Sequence, residues 1–322
     1  MLKVLYLPLN DATSVQQATY DAFRAVGVDL HICDFHNVWL RTKSHDAVNN
    51  DFLNHVRNVR PHLIHMQLQF TGLLNVETLN KARAICPDVV MTNWTGDCRA
   101  EARSEFVNIA KAIDHSLVSS TGQIDLYRKA GATNARYWQI GYEPKNHFPM
   151  RKTSFKYDVA FIANNYGTTF PDGKIRSETA SFLQGVLGKR FGLFGSGYGN
   201  DVSGLAPSQM NETYNDSVCC LSISNFNSVD HYFSDRLLYC LGSGRPTIAW
   251  RFPGCESYFL DGKEIIYVSK REEVLEAINF CKNNPEIASA IGEAGSKRVQ
   301  REHSFESRIL ELLNITNLVH LL

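Results

Sequence analysis

Short apolar runs alternate along this chain with longer stretches whose apolar positions recur every three or four residues. Residues 3–7 form an apolar run of strand length, followed by polar positions at 10–14. Residues 15–26 carry helical spacing and stop at Gly27. The alternation continues with a strand at 28–33, a helix at 46–60, a strand at 62–67, a helix at 76–85 and a strand at 88–93. A helical start at 107–113, a strand at 116–119 and a helix at 122–130 complete the first half. Strand–helix alternation of this kind predicts a parallel sheet with helices on both faces.

The stretch 141–149 carries two prolines and a glycine and reads as a linker, dividing the chain into domains 1–150 and 151–322. The pattern then restarts. Strands are expected at 157–162, 191–194, 218–224, 247–250 and 264–268. Helices are expected at 174–187, from 235 to about 242, at 272–283, at 285–299 and at 305–322. At 322 residues the chain is long enough for two domains with separate cores.

Composition narrows the picture little. Lysine plus arginine and aspartate plus glutamate each number 33, so the formal charge is zero and nothing demands nucleic acid or an anionic membrane. The eight cysteines include no Cys-x-x-Cys pair and no Cys/His zinc spacing, which suits small core residues in a reducing, cytoplasmic compartment. No run is long enough to span a membrane, and the opening apolar run is too short for a signal peptide. No metal set and no cofactor motif is expected.

The chemistry concentrates in residues 225–249. A strand ends before a polar loop, and Ser234 is placed to cap a helix that opens with Asp235 and Arg236. Free amides of a first helical turn favour a phosphate, and Arg236 adds a forked cation suited to its oxygens. A solvated Asp–Arg pair on a helix surface is the plainer reading. Gly242 and Gly244 are expected at positive φ where the chain leaves this helix.

Two further loops follow strand ends, where open α/β sheets bind ligands. Asn164 and Asn165 offer side-chain amides. Gly195, Ser196 and Gly197 let backbone approach a ligand, or form an ordinary turn. The glycine loop lacks the end of a Walker motif and the spacing of a dinucleotide fingerprint. With Asn225, Asn227, Ser234, Asp235, Arg236 and Tyr239, these residues form the candidate donor-binding set.

The run 233–238 followed by Leu241-Gly-Ser-Gly-Arg-Pro246 resembles the donor segment of GT-B glycosyltransferases, and the CgeB-like branch in particular. The resemblance continues through Phe252-Pro-Gly254, Asp261-Gly262 and residues 301–308, and is fainter before 157. It implies a fold of two Rossmann-like domains with parallel sheets facing a central cleft, and a C-terminal helix that returns to the first domain. It implies a metal-independent transferase moving a sugar from a nucleotide-diphosphate sugar to an acceptor hydroxyl. The acid positions of the wider family fall on His231 and Tyr239 here. Tyr239 offers one hydroxyl where a carboxylate holds two ribose hydroxyls, and Asp235 is a candidate substitute.

In the first domain, the loop Asn93-Trp-Thr-Gly-Asp97 resembles the acceptor-side loop of the same family. That makes Asp97 the candidate catalytic base, with Trp94, His65, Gln67 and Gln69 on the acceptor side. Arg99 lies one helical turn from Arg103, facing an anionic acceptor or simply solvent. Asp97 beside Gly96 is also a common turn pairing. The acceptor stays open among saccharide, protein, small molecule and modified DNA base, the last disfavoured by neutral charge. A sugar-nucleotide epimerase and a catalytically silent nucleotide-sugar binder are the alternatives. Donor base, stereochemistry and oligomeric state are not readable from the residues.

Overall fold

The structure, a computed structural model, describes residues 1–9, 14–68, 72–199 and 202–322. Its first compact unit comprises Met1–Gln139 with Phe305–Leu322, and its second comprises Ile140–Ser304.

In the first unit the elements run β1 (Lys3–Leu7), α1 (Ser14–Ala25), β2 (Asp29–Ile32), α2 (Phe35–Thr42), α3 (His45–Val59) and β3 (Leu63–Met66). They continue with α4 (Val76–Ile85), β4 (Val90–Thr95), α5 (Ser104–Ala110), β5 (His115–Val118), α6 (Ile124–Lys129) and β6 (Ala135–Tyr137). All strands pair in parallel in the order β2-β1-β3-β4-β5-β6. Strands β1 and β3 are almost wholly buried, which explains their unbroken apolar runs.

Three differences from the sequence reading have local causes. Helix α2 packs on α3 in a stretch that the pattern left unassigned; Asp34 caps it, its carboxylate accepting from Asn37 N at 3.0 Å. Residues 104–110 begin their helix three residues earlier than the pattern suggested. Strand β6 is only three residues long, too short for an alternating pattern to register.

The second unit opens with β7 (Tyr157–Ile162), α7 (Gly173–Leu187), β8 (Phe191–Phe194), α8 (Pro207–Asn215) and β9 (Ser217–Ser222). It goes on with α9 (Asp235–Gly242), β10 (Thr247–Trp250), β11 (Ile266–Val268), α10 (Arg271–Asn283) and α11 (Pro285–Glu302). Its five strands are again all parallel, in the order β11-β10-β9-β7-β8. The order reverses between β7 and β9, and a ligand crevice of an open sheet forms beyond such a reversal. Among the described residues, no helix is long and apolar enough to cross a membrane.

The stretch expected as a linker lies inside this second unit. Tyr142 N donates to His303 O at 2.7 Å, and Asn215 Nδ2 donates to Phe148 O at 3.1 Å. The closing helix is shorter than expected: α12 (Phe305–Ile315) gives way at Asn317, whose φ is 58°, to a 3₁₀ turn at Val319–Leu321. Helix α12 belongs to the first unit, where Trp138 Nε1 donates to Arg308 O at 2.9 Å. Gly244 takes positive φ (75°) as expected, but Gly242 ends α9 for a different reason. A Cβ there would lie 2.2 Å from the Tyr142 ring, so close packing excludes any side chain.

Candidate functional site

Beyond the carboxyl ends of β7 and β9 the second unit encloses a cavity of about 230 Å³. Asn164, Gly195, Asp235, Arg236 and Tyr239 line it together with Met210 and Tyr214 of α8. Five residues singled out from three separate loops and helices therefore meet at one place. Asn165, Ser196, Gly197, Asn225, Asn227 and Ser234, the other donor-side candidates, are not among its lining residues.

The two ligand loops are knitted to each other. Asn164 Oδ1 accepts from Ser196 N at 3.0 Å, Asn165 N donates to Ser196 O at 2.8 Å, and Asn165 Nδ2 donates to Gly197 O at 3.0 Å. The approach is close enough that a Cβ on Gly195 would sit 2.0 Å from Ala163 O, at a φ of 137°. The asparagine amides thus spend much of their hydrogen-bonding capacity on the loops. Asn227 does the same further on: its side chain bonds Ser224 N and O, and its own N donates to Asp172. Asn225 O accepts from Asp172 N at 3.0 Å, while its side-chain Oδ1 is buried without a hydrogen-bond partner.

The helix start differs from the expected amide cradle. Ser234 occupies the cap position of α9, yet its side chain makes no cap bond. Arg236 N is taken by Oδ1 of Asp235 at 2.8 Å, and Leu237 N by Ser234 O at 3.0 Å. The positive charge is supplied instead by guanidinium groups. Arg236 Nε donates to Ile162 O at 2.6 Å, and Nη1 donates to Ile223 O and to Ser234 Oγ, both at 3.2 Å. The ends of β7 and β9 thereby fix the fork, and Nη2 keeps its protons without a partner among the described residues.

A second arginine, invisible to sequence reasoning, stands behind the first. Arg176 of α7 is 1% exposed. Its Nη1 donates to Asn164 O at 2.7 Å and its Nη2 to Ile223 O at 2.6 Å, while Nε is buried without a partner. Burial and then the neighbouring charge of Arg236 push its pKa down to about 9. Among the described residues neither guanidinium has an ion pair. The hydroxyls of Tyr198 and Tyr214 are also buried without a partner. Burying the Arg176 charge beside the half-buried Arg236 is costly, so the pair favours an anion at the cavity, although the Asp235 carboxylate lines that cavity too.

Behind the cavity wall, Tyr239 stacks on His147 at 4.1 Å between ring centroids. Burial, then the Asp235 carboxylate beside it, raises the Tyr239 phenol far above its ordinary range, so it stays protonated as a donor. Burial lowers His147 to about 4, so it is neutral at physiological pH. His231, at φ 56°, lies against Gly254, whose missing Cβ leaves room for the ring.

In the first unit the acceptor-side candidates separate. Trp94 is buried, with Nε1 donating to Ser119 Oγ and Trp138 O, both at 3.1 Å. Gln67 closes a buried ring of hydrogen bonds with Tyr6 and Gln16. His65 is fully buried, bonded through Nδ1 to Thr92 Oγ1 at 2.7 Å and stacked on Tyr6, and burial lowers its pKa to about 3. These three side chains are committed to the interior. Asp97 is half-exposed and pairs with Arg99 Nη2 at 2.8 Å. Gln69 lies outside the described residues.

Helix α8, which contributes Met210 and Tyr214, was readable in principle. Pro207 stands at its first turn, and Gln209 Oε1 reaches back to accept from Ala206 N at 3.0 Å. Arg176 had no comparable signal, because an arginine in a helix reads as solvent-facing.

Residues 176–314 match a family model described as glycosyl transferase-like. The match begins at the buried arginine and spans α9. No curated protein matches the sequence. Among solved structures, the chain is similar to HepE of Anabaena in complex with UDP and glucose, at TM-score 0.66 and 10% identity, covering 98% of this chain and 100% of that one. It is similar to sucrose-phosphate synthase of Thermosynechococcus elongatus at TM-score 0.64 and 13% identity, with both chains wholly covered. It is also similar to a DNA-modifying β-glucosyltransferase, at TM-score 0.64 and 13% identity over 98% of this chain and 100% of that one. At such identities the likeness is one of fold, and that fold is the GT-B arrangement of two parallel-sheet, Rossmann-like domains.

Proposed function

We propose that this chain, a glycosyltransferase by its matched segment and its fold, takes a sugar from a nucleoside-diphosphate sugar and passes it to an acceptor hydroxyl. The observation that carries the reading is the half-buried Arg236 at the wall of a cavity at strand ends, backed by the buried Arg176, neither of which has an ion pair among the described residues. A diphosphate supplies the missing negative charge. As the bond to the sugar breaks, charge builds on the leaving phosphate, and fixed guanidinium groups stabilise it without reorganising. The cavity is smaller than the roughly 300–1,000 Å³ typical of whole-ligand pockets. It suits the diphosphate and an adjoining hydroxyl-bearing ring, with Asp235 and Tyr239 as acceptor and donor toward hydroxyls.

The CgeB-like branch is supported by the run from Phe233 to Pro246 that builds α9 and its exit. For the acceptor step, the half-exposed Asp97 is the candidate base. Its carboxylate pairs with Arg99 Nη2 at 2.8 Å. UDP as donor nucleotide is favoured by the bound UDP of the HepE structure.

The test is calorimetric titration with UDP and UDP-sugars, followed by mass spectrometry of mixtures with candidate acceptors. Binding in the wild type that Arg236→Ala weakens, together with transfer or donor hydrolysis, supports the proposal. Isomerised donor would favour an epimerase. Absence of any nucleotide binding would overturn the reading.

A further inference from the structure

A second constellation lies in the first unit, far along the sequence from the segment with the family match. Cys33 immediately follows the edge strand β2, and Asp51 and His55 stand one turn apart on α3. Cys33 Sγ lies 3.9 Å from Asp51 Oδ2, and His55 Nε2 lies 3.7 Å from the same oxygen. All three potential ligand atoms fall within 4.8 Å of one another. Asp51 and His55 also line an open cavity of about 490 Å³.

We propose that Cys33, Asp51 and His55 form a three-ligand site for a zinc-class divalent ion, with the cavity supplying an open fourth position. Zinc is four-coordinate, with bonds of about 2.3 Å to sulfur and 2.0–2.2 Å to nitrogen and oxygen. Tetrahedral bonds of those lengths put neighbouring ligand atoms roughly 3.3–3.6 Å apart. The two spacings to Asp51 Oδ2, 3.9 and 3.7 Å, need close by only a few tenths of an ångström, and the third pair, within 4.8 Å, closes by side-chain rotation of His55. One thiolate and one carboxylate neutralise a divalent ion, so the complex carries no net charge at the edge of a core.

The ligand types select the metal. Thiolate with imidazole suits zinc and related transition metals, whereas calcium and magnesium take oxygen. In the metal-free protein, burial followed by Asp51 and Asp34 raises the Cys33 thiol, so it is protonated. Metal binding exchanges that proton: the S–H bond breaks, a sulfur–metal bond forms, and one H⁺ leaves to solvent. Among the residues lining that cavity, Arg41 is the arginine acting against the ion. Asp34 faces Cys33 too, but its carboxylate already accepts from Asn37 N.

Sequence spacing hides such a site, because its residues come from a strand end and a helix turn rather than from one motif. The test uses the full-length protein, stripped with chelator and titrated with Co²⁺. One equivalent should produce a near-ultraviolet sulfur-to-cobalt charge-transfer band that Zn²⁺ abolishes by displacement. Cys33→Ser should lose the band. Asp51→Asn, a nearly isosteric change at a half-exposed position, should keep the fold and weaken Co²⁺ binding by at least the roughly 10–100-fold that loss of an outer-shell partner costs. The proposal is overturned if the wild type shows no charge-transfer band. It is equally overturned if the band survives Cys33→Ser, or if Asp51→Asn binds Co²⁺ as tightly as the wild type.

Discussion

Single side chains decide what this site can do, and two of them answer differently to perturbation. Removing Arg236 deletes a charge-assisted interaction worth about 1.5–3 kcal/mol. Arg236→Ala is therefore expected to weaken UDP binding roughly ten- to a hundredfold by calorimetry, with the circular dichroism spectrum unchanged. Arg236→Lys should recover little, since one ammonium cannot hold two strand-end carbonyls and an anion together. The buried histidines give a pH signature. His65 and His147 are held neutral by burial, at about 3 and about 4, against an ordinary value of 6.5. Their folded pKa values lie below the unfolded ones, so the unfolded chain binds more protons at acid pH. The stability they contribute is complete above pH 6.5 and is lost as pH falls toward those values, at up to about 1.4 kcal/mol per pH unit for each histidine. Urea midpoints measured from pH 7 to pH 4.5 should fall, and His147→Phe should flatten the slope for the second unit. A slope unchanged by that substitution would remove His147 from the account.

Elements show where sequence reading succeeded and why it stopped. Strands β7, β8 and β10 and helix α4 coincide with their expected spans, because each is a clean periodic run between strong breakers. Helix α9 was legible from its capping serine and the Asp–Arg pair. Its chemistry was legible only in part: the cap side chain bonds Arg236 instead of the helix. The glycine loop after β8 was left between ligand site and plain turn, and geometry gives it a definite job. Gly195 and Gly197 approach Ala163 O and Asn165 O so closely that no side chain fits. Gly195→Ala should cost about 1–3 kcal/mol in backbone strain, seen as a lowered denaturation midpoint, and should weaken UDP binding by displacing the Asn164 loop. Arg176 and Trp94 were illegible for opposite reasons. An arginine in an amphipathic helix carries no mark of burial yet is inside, and a tryptophan at a loop was expected to meet a ligand and fills the core.

At the scale of the molecule, the chain visits its first unit twice, at Met1–Gln139 and again at Phe305–Leu322. Deleting residues 305–322 removes α12 from α1 and the Trp138 bond to Arg308 O. The first unit should lose its thermal transition, while Ile140–Ser304 should keep one that UDP still raises. At a hundredfold excess over Kd the ligand is worth about 2.7 kcal/mol, so the shift should be plain in calorimetry. Truncated protein that no longer responds to UDP would show that the two units do not fold independently. The unbalanced arginines have one more consequence. On the proposed function, groups that hold the donor's diphosphate would hold the spent nucleotide as well once the sugar has gone. Departure of that by-product should then pace turnover, and inorganic phosphate in the buffer should slow it by occupying the same berth, an outcome that steady-state assays with and without phosphate check.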